Sequence, residues 1–173
     1  KLQRDGDKLS LSAKTKRSLN LCMGGDYCNS VHITIYGPAL QEIDAQNHQL
    51  NYAATGQAEL TVKAEDAAVT ISSSRTIDLL TATLSGTSRL SAADAAISAV
   101  KLTSNAASDS TFATIKSLDA TIPSVCASGY VSMIYYNGAP QITLNGESVT
   151  LGNDYSCVSF LNSYNYDYQS SDF

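Results

Sequence analysis

Ile77-Asp78-Leu79-Leu80-Thr81-Ala82-Thr83-Leu84-Ser85-Gly86-Thr87-Ser88 is answered, twenty residues after it begins, by Ile97-Ser98-Ala99-Val100-Lys101-Leu102. In both stretches an apolar residue is followed three positions later by a second, and two positions after that by a third. The phrase recurs as Leu40, Ile43, Ala45; as Leu60, Val62 with the polar Gln57 in the first slot; as Ile115, Leu118, Ala120; and as Ala139, Ile142, Leu144. The second members fall at 43, 60, 80, 100, 118 and 142, in steps of 17, 20, 20, 18 and 24 residues. A fixed period of roughly 20–50 residues is the signature of a solenoid, in which each unit buries its apolar face on the next.

Apolar positions two apart at the centre of each copy are strand spacing. Turn clusters follow most copies, at Ser85-Gly86, Ser104-Asn105, Pro123-Ser124 and Asn145-Gly146. A second short strand follows each turn, marked by Leu90, Phe112, Val131 and Val149. Helical periodicity is absent, although Ala92 to Ala99 carries residues that favour helix. A unit of this length fits one coil of two or three short strands, stacked in parallel at roughly 4.8 Å per level. The pattern therefore predicts an all-β, single-domain parallel β-helix of about six rungs, right-handed by the crossover preference. The 24-residue last step implies an inserted loop, expected at Tyr135-Tyr136-Asn137-Gly138.

Outside the repeat, residues 1–30 are expected to supply strands and a cap. Lys8 to Ala13, Leu19 to Leu21 and Val31 to Ile35 read as strands there and at the start of the coil. Residues 31–153 hold the repeats. Residues 154–173 form a Tyr-rich C-terminal segment in which Tyr164, Tyr166 and Tyr168 alternate with polar residues. Such ends need covering, because an uncapped solenoid exposes apolar side chains and a free ladder edge.

The chain has 173 residues, enough for a real core, with 43% hydrophobic and only 16% charged residues. Small residues take the place of charged ones, which suits tight corners. The net charge of −5 and the absence of a basic face disfavour nucleic acid and anionic membranes. No stretch approaches the roughly 20 apolar residues of a membrane span. The opening Lys1-Leu2-Gln3-Arg4 reads as the start of a mature or trimmed product whose export signal lies outside it.

Four cysteines allow three disulfide pairings. Cys22 and Cys28 could close a turn, which would leave Cys126 with Cys157; four buried thiols are the alternative. No Cys-x-x-Cys, EF-hand loop or Gly-x-Ser-x-Gly is present, so no metal, cofactor or catalytic residues are assigned. In register, Lys101 and Asp119 would form an opposite-charge pair across the ladder, a surface contact rather than a catalytic one. The outward slots read Asp44, Thr61, Thr81, Lys101, Asp119, Thr143 and then Gln46, Lys63, Thr83, Thr103, Thr121, Asn145. A flat threonine face would suit ice, but β-propensity accounts for three threonines in a row. The aromatic residues Tyr135, Tyr136, Tyr164, Tyr166 and Tyr168 crowd toward the C-terminal end and are the expected interaction surface, since tyrosine joins a large apolar face to a polar tip.

Leu84-Ser85-Gly86-Thr87-Ser88, Pro38-Ala39-Leu40-Gln41-Glu42-Ile43, and Leu118-Asp119-Ala120-Thr121-Ile122 followed by Ile134 to Pro140 resemble the GIN-type head domain of autotransporter adhesins. The resemblance spans roughly residues 5–153. Ser104-Asn105-Ala106-Ala107 and Pro123-Ser124-Val125-Cys126 depart from its Gly-rich corners. It implies an exported, non-enzymatic β-solenoid of cell-adhesion or surface-interaction type, placed in the periplasm, at the outer-membrane surface or outside the cell. A protein or glycan ligand would then be its partner. A carbohydrate-active β-helix enzyme and a structural envelope spacer are the alternatives.

Overall fold

The computed structural model describes residues 2–5, 8–11, 38–105, 108–126, 131–150, 153 and 155–162. The chain forms two compact units, Lys1–Gly37 and Pro38–Phe173. In the first, β1 (Leu2–Asp5) and β2 (Lys8–Leu11) pair antiparallel. The strands expected at Leu19 to Leu21 and Val31 to Ile35 lie outside the described residues, as do Cys22 and Cys28.

The second unit is a β-solenoid. Its strands are β3 (Glu42–Gln46), β4 (Gln49–Ala54), β5 (Gln57–Glu65), β6 (Ala68–Ser85), β7 (Arg89–Ser104), β8 (Asp109–Thr114), β9 (Ser117–Thr121), β10 (Ser132–Asn137), β11 (Gln141–Leu144), β12 (Glu147–Ser148) and β13 (Val158–Asn162). β6 and β7 each run through a corner. One face stacks β3, β5, residues 77–85, residues 97–104, β9 and β11 in parallel. The other stacks β4, residues 68–73, residues 89–95, β8, β10 and β13. The chain thus makes about five turns, six strands deep on each face. Ala92 to Ala99 is strand, because the ladders on both sides and the burial of Ala92, Ala95 and Ile97 override intrinsic helix preference.

Inward rows run along the stack. Leu60, Leu80, Val100, Leu118 and Ile142 occupy one slot, all buried. Ile43, Val62, Ala82, Leu102, Ala120 and Leu144 occupy the next. Ala82 and Ala120 flank Leu102, so small and large residues alternate along that part of the row. On the opposite face Leu50, Val69, Leu90, Ser110, Ile134 and Phe160 share a slot.

The first register, the place of the inserted loop and two of the second-strand markers need correction. Ile43 pairs with Val62 rather than Leu60, so the first rung is displaced by two residues. A shift of two keeps every side chain on its own face. The cause is Gln57, which shares its slot with Ile77. Its Nε2 donates to the Leu40 and Glu59 carbonyls, each at 2.7 Å, and its Oε1 accepts from Tyr52 Oη at 3.0 Å. Tyr52 Oη in turn accepts from the Leu40 N–H at 2.9 Å. Leu40 is thereby held by its backbone, with its side chain 39% exposed rather than in the core.

The inserted loop lies between Thr121 of β9 and Ser132 of β10, not at Tyr135 to Gly138. Tyr135 to Asn137 belong to β10 and pair in the ladder. Val131, read as the marker of that strand, precedes it and is exposed; Ser132, Ile134 and Tyr136 are the strand's inward residues. Val149 packs against the core only after the β11–β12 hairpin, so β13 supplies the last strand of its face. That hairpin turns at Asn145 (φ 52°) and Gly146 (φ 86°), the backbone that an Asn-Gly two-residue turn favours. The Asn145 side chain also reaches one level back. Its Oδ1 accepts from the Ile122 N–H and its Nδ2 donates to the Ile122 carbonyl, both at 3.0 Å.

The corner leaving the first face needs left-handed backbone. Asn47 (φ 55°), Asp66 (φ 49°) and Gly86 (φ 62°) fill it on successive levels, the residue types that tolerate this region. Asp66 Oδ1 accepts from the Thr87 N–H at 2.8 Å, and a Cβ on Gly86 would meet that same oxygen at 2.2 Å. Gly86→Ala is therefore expected to destabilise the fold by about 1–3 kcal/mol through strain and clash. Urea unfolding at unchanged m-value checks it.

Buried serines line the interior of this corner. Ser104 Oγ bonds with Ser108 Oγ at 2.5 Å and with Ser132 Oγ at 3.3 Å. Ser88 Oγ donates to the Ser85 carbonyl at 2.6 Å and accepts from the Ala67 N–H at 3.4 Å. Burial without partners would be costly, and these hydroxyls satisfy each other and the turn backbone.

Candidate interaction surface

Period-two alternation decides what each strand offers to solvent. On the first face the outward slots read Glu42, Thr61, Thr81, Lys101, Asp119, Thr143 and Asp44, Lys63, Thr83, Thr103, Thr121. Glu42 opens the first row in place of Asp44, the consequence of the displaced first rung. Lys63 Nζ meets Glu42 Oε1 at 2.7 Å. The hydrogen bond to Glu42 and its charge hold the Lys63 ammonium above the ordinary lysine range. The pair is exposed and favours the folded chain at neutral pH, and the Lys63 contribution fades as pH rises through that raised value. Lys101 and Asp119 do lie opposite each other in register. The Asp119 carboxylate, however, accepts from Thr143 Oγ1 at 2.7 Å.

A shallow groove of about 380 Å³ runs along the corner past His48, Asp66, Thr87, Arg89 and Asp109. Its two carboxylates are engaged, Asp66 by the Thr87 N–H and Asp109 by Arg89 at 3.4 Å. His48 Nδ1 bonds with the Gln46 carbonyl. Among the described residues no three His, Cys, Asp or Glu side chains gather as metal ligands. No helix among them is long and apolar enough to cross a membrane.

The second face changes character along its length. One outward slot reads Asn51, Thr70, Ser91, Thr111, then Tyr135 and Leu161. The adjacent slot runs Gln49, Ala68, Arg89, Asp109, then Met133, which is 41% exposed, and Ser159. Tyr135 Oη lies 3.2 Å from Met133 Sδ. Largely polar levels thus give way to Tyr135, Met133 and Leu161 near the end, with Ser159 beside them. No known family, curated protein or solved structure matches this chain.

Of the five tyrosines expected at the surface, Tyr135 faces outward and is half-buried. Tyr136 is 1% exposed and belongs to the core, which corrects its assignment to the surface. Neighbours on one strand cannot share a face, so only one of the two could point outward. Tyr164, Tyr166 and Tyr168 lie outside the described residues. Met133 and Leu161 were not singled out in the sequence, because only the register between β8, β10 and β13 puts them beside Tyr135.

Burial raises the Tyr136 phenol above its ordinary value of 10.0. The folded chain then keeps this proton at pH values where the unfolded chain has lost it. Stability is expected to be complete below pH 10 and to fall as pH rises toward the raised folded value. Tyr136→Phe should flatten that alkaline fall in a urea midpoint–pH series.

Cys126 and Cys157 are joined, with Cα atoms 5.0 Å apart. This is one of the pairs the cysteine spacing allowed.

Proposed function

We propose that this chain is an exported, non-enzymatic β-solenoid that presents a surface for binding, in the cell-adhesion or surface-interaction class. The carrying observation is the switch of the outward second face from Asn51, Thr70, Ser91 and Thr111 to Tyr135, Leu161 and Met133. Stacked rungs supply a stiff rod, and its end supplies an apolar, aromatic contact area of the kind that favours a protein or glycan partner. The disulfide supports export, because such bonds persist in oxidising compartments. The likeness of Leu84 to Ser88 and Pro38 to Ile43 to GIN-type head domains of adhesins agrees with this reading.

The test is a glycan and protein binding array with the intact chain, run beside a polysaccharide degradation assay. A ligand whose affinity drops about tenfold or more in Tyr135→Ala, at unchanged melting temperature, supports the reading. Turnover of a polysaccharide would replace it with the carbohydrate-active alternative. Binding indifferent to Tyr135 would move the site elsewhere, and an array with no binder would leave the spacer.

A further inference from the structure

The last level of the solenoid is fastened differently from the others. β13 is held by a single ladder, to β10; beyond it the described residues give β13 only one isolated bridge, Val158 with Tyr155. Its inward residues Val158 and Phe160 lie opposite Ser132 and Ile134 of β10 and cover that end of the core. Cys157, at φ 67°, immediately precedes β13, and its carbonyl accepts from the Ser132 N–H at 2.9 Å. Its partner Cys126 lies in the connection between β9 and β10, 31 residues away in sequence. In a solenoid each level touches only its neighbours, so a terminal level can open while the rest stays folded. The two half-cystines also differ in access. Cys126 is half-buried beside Val125, which is 82% exposed, whereas Cys157 is 5% exposed.

We propose that the Cys126–Cys157 bond is a site of thiol–disulfide exchange with a dithiol reductant, and that its cleavage releases β13 from the end of the coil. A thiolate of the dithiol attacks Cys126 Sγ, and Cys157 leaves as a thiolate and takes a proton. The second thiolate of the dithiol then attacks its own mixed-disulfide sulfur and expels Cys126, which is protonated in turn. Two electrons and two protons pass to the protein, and the dithiol ends as a disulfide. Release of β13 bares the ladder edge of residues 132–136 and uncovers Ile134 and Tyr136, an edge that an incoming strand can pair with. The inference does not rest on the binding role proposed above, but Leu161 of that surface lies on β13 and leaves Tyr135 when the strand is released.

The experiment is hydrogen exchange on the intact chain, oxidised and after dithiothreitol, with peptide-mapped alkylation that reads Cys126 and Cys157 separately from Cys22 and Cys28. Amides of residues 132–136 and 158–162 are expected to exchange on the order of a hundredfold faster once the bond is cut, as loss of a closed loop of this length allows. Amides of β5 and of residues 77–85 should keep their protection. The double variant Cys126→Ser, Cys157→Ser should show the same local pattern without reductant. Unchanged exchange after verified cleavage, equal acceleration from β3 to β9, a bond that dithiothreitol cuts only in urea, or a double variant that does not fold would each overturn the proposal.

Discussion

Phe112→Ala is expected to destabilise the solenoid by about 3–5 kcal/mol, a large part of the roughly 5–15 kcal/mol available to a domain. Phe112 is 1% exposed on β8. Its ladder neighbour on the preceding level is Ala92, itself fully buried. A methyl group cannot extend into the space a phenyl ring vacates. The residue two places before Phe112 on the inward face is Ser110, also buried, and a serine cannot extend either. The site has little means of collapse, and the cost should fall toward the upper end of that range. Urea unfolding checks it as a lowered midpoint with the slope retained. Val125→Ala, at a residue 82% exposed, should change stability by no more than about 0.5 kcal/mol and serves as the control.

The phrase that recurs from Leu40 to Leu144 was enough to predict the coil, because most inward slots in a stacked sheet are apolar, Ser104 and Ser110 being polar exceptions. It carried less where a polar side chain had taken a backbone's work. Gln57 breaks the pattern by holding the Leu40 backbone, and that substitution shifted the apparent register of Ile43 by two. The pattern also could not locate the extra residues of the last step. Spacing between Leu118 and Ile142 gives their number, and only the pairing of Thr111 with Tyr135 shows that they precede β10.

The candidate surface was half legible for a related reason. A cluster of tyrosines near one end is visible in composition, but facing is a property of register. Once Tyr135 is opposite Thr111, alternation sends Tyr136 inward and brings Leu161 and Met133 alongside Tyr135. Tyr136 then belongs with Phe112 and Ile134 in the core. The same logic separates the threonines of the first face from a binding role: Thr61, Thr81, Thr83, Thr103 and Thr121 stand in rows broken by Glu42, Lys63, Lys101 and Asp119. Strand propensity and solubility account for such rows.

Excising residues 77–96 as a block is expected to leave a folded, shorter solenoid, whereas deleting Thr81 alone should abolish the fold. The excision joins Thr76 to Ile97, and Ile77 and Ile97 occupy the same slot. β5 then meets residues 97–104 in the register it had with 77–84: Gln57 opposite Ile97, Leu60 opposite Val100, Val62 opposite Leu102. On the other face Thr70 meets Thr111 through the slot both share with Ser91. One strand of six is lost from each face, so the urea m-value should fall by roughly a sixth, with unfolding still cooperative. Losing Thr81 is the opposite case. Side chains in a strand alternate, so removing one residue mid-strand sends either Ile77 and Leu80 or Ala82 and Leu84 to solvent. All four are at most 1% exposed. Slipping the first half turns out Ile77, at about 1.5–3 kcal/mol, and brings Thr76 into its slot while Leu79 takes that of Leu80; slipping the second half turns out Ala82 and Leu84 and drives the Thr83 and Ser85 hydroxyls toward the core without partners. Circular dichroism and size-exclusion profiles should show a native-like β-protein for the twenty-residue excision and an aggregated or unfolded chain for the one-residue deletion. The reverse result would mean that the levels are not interchangeable units.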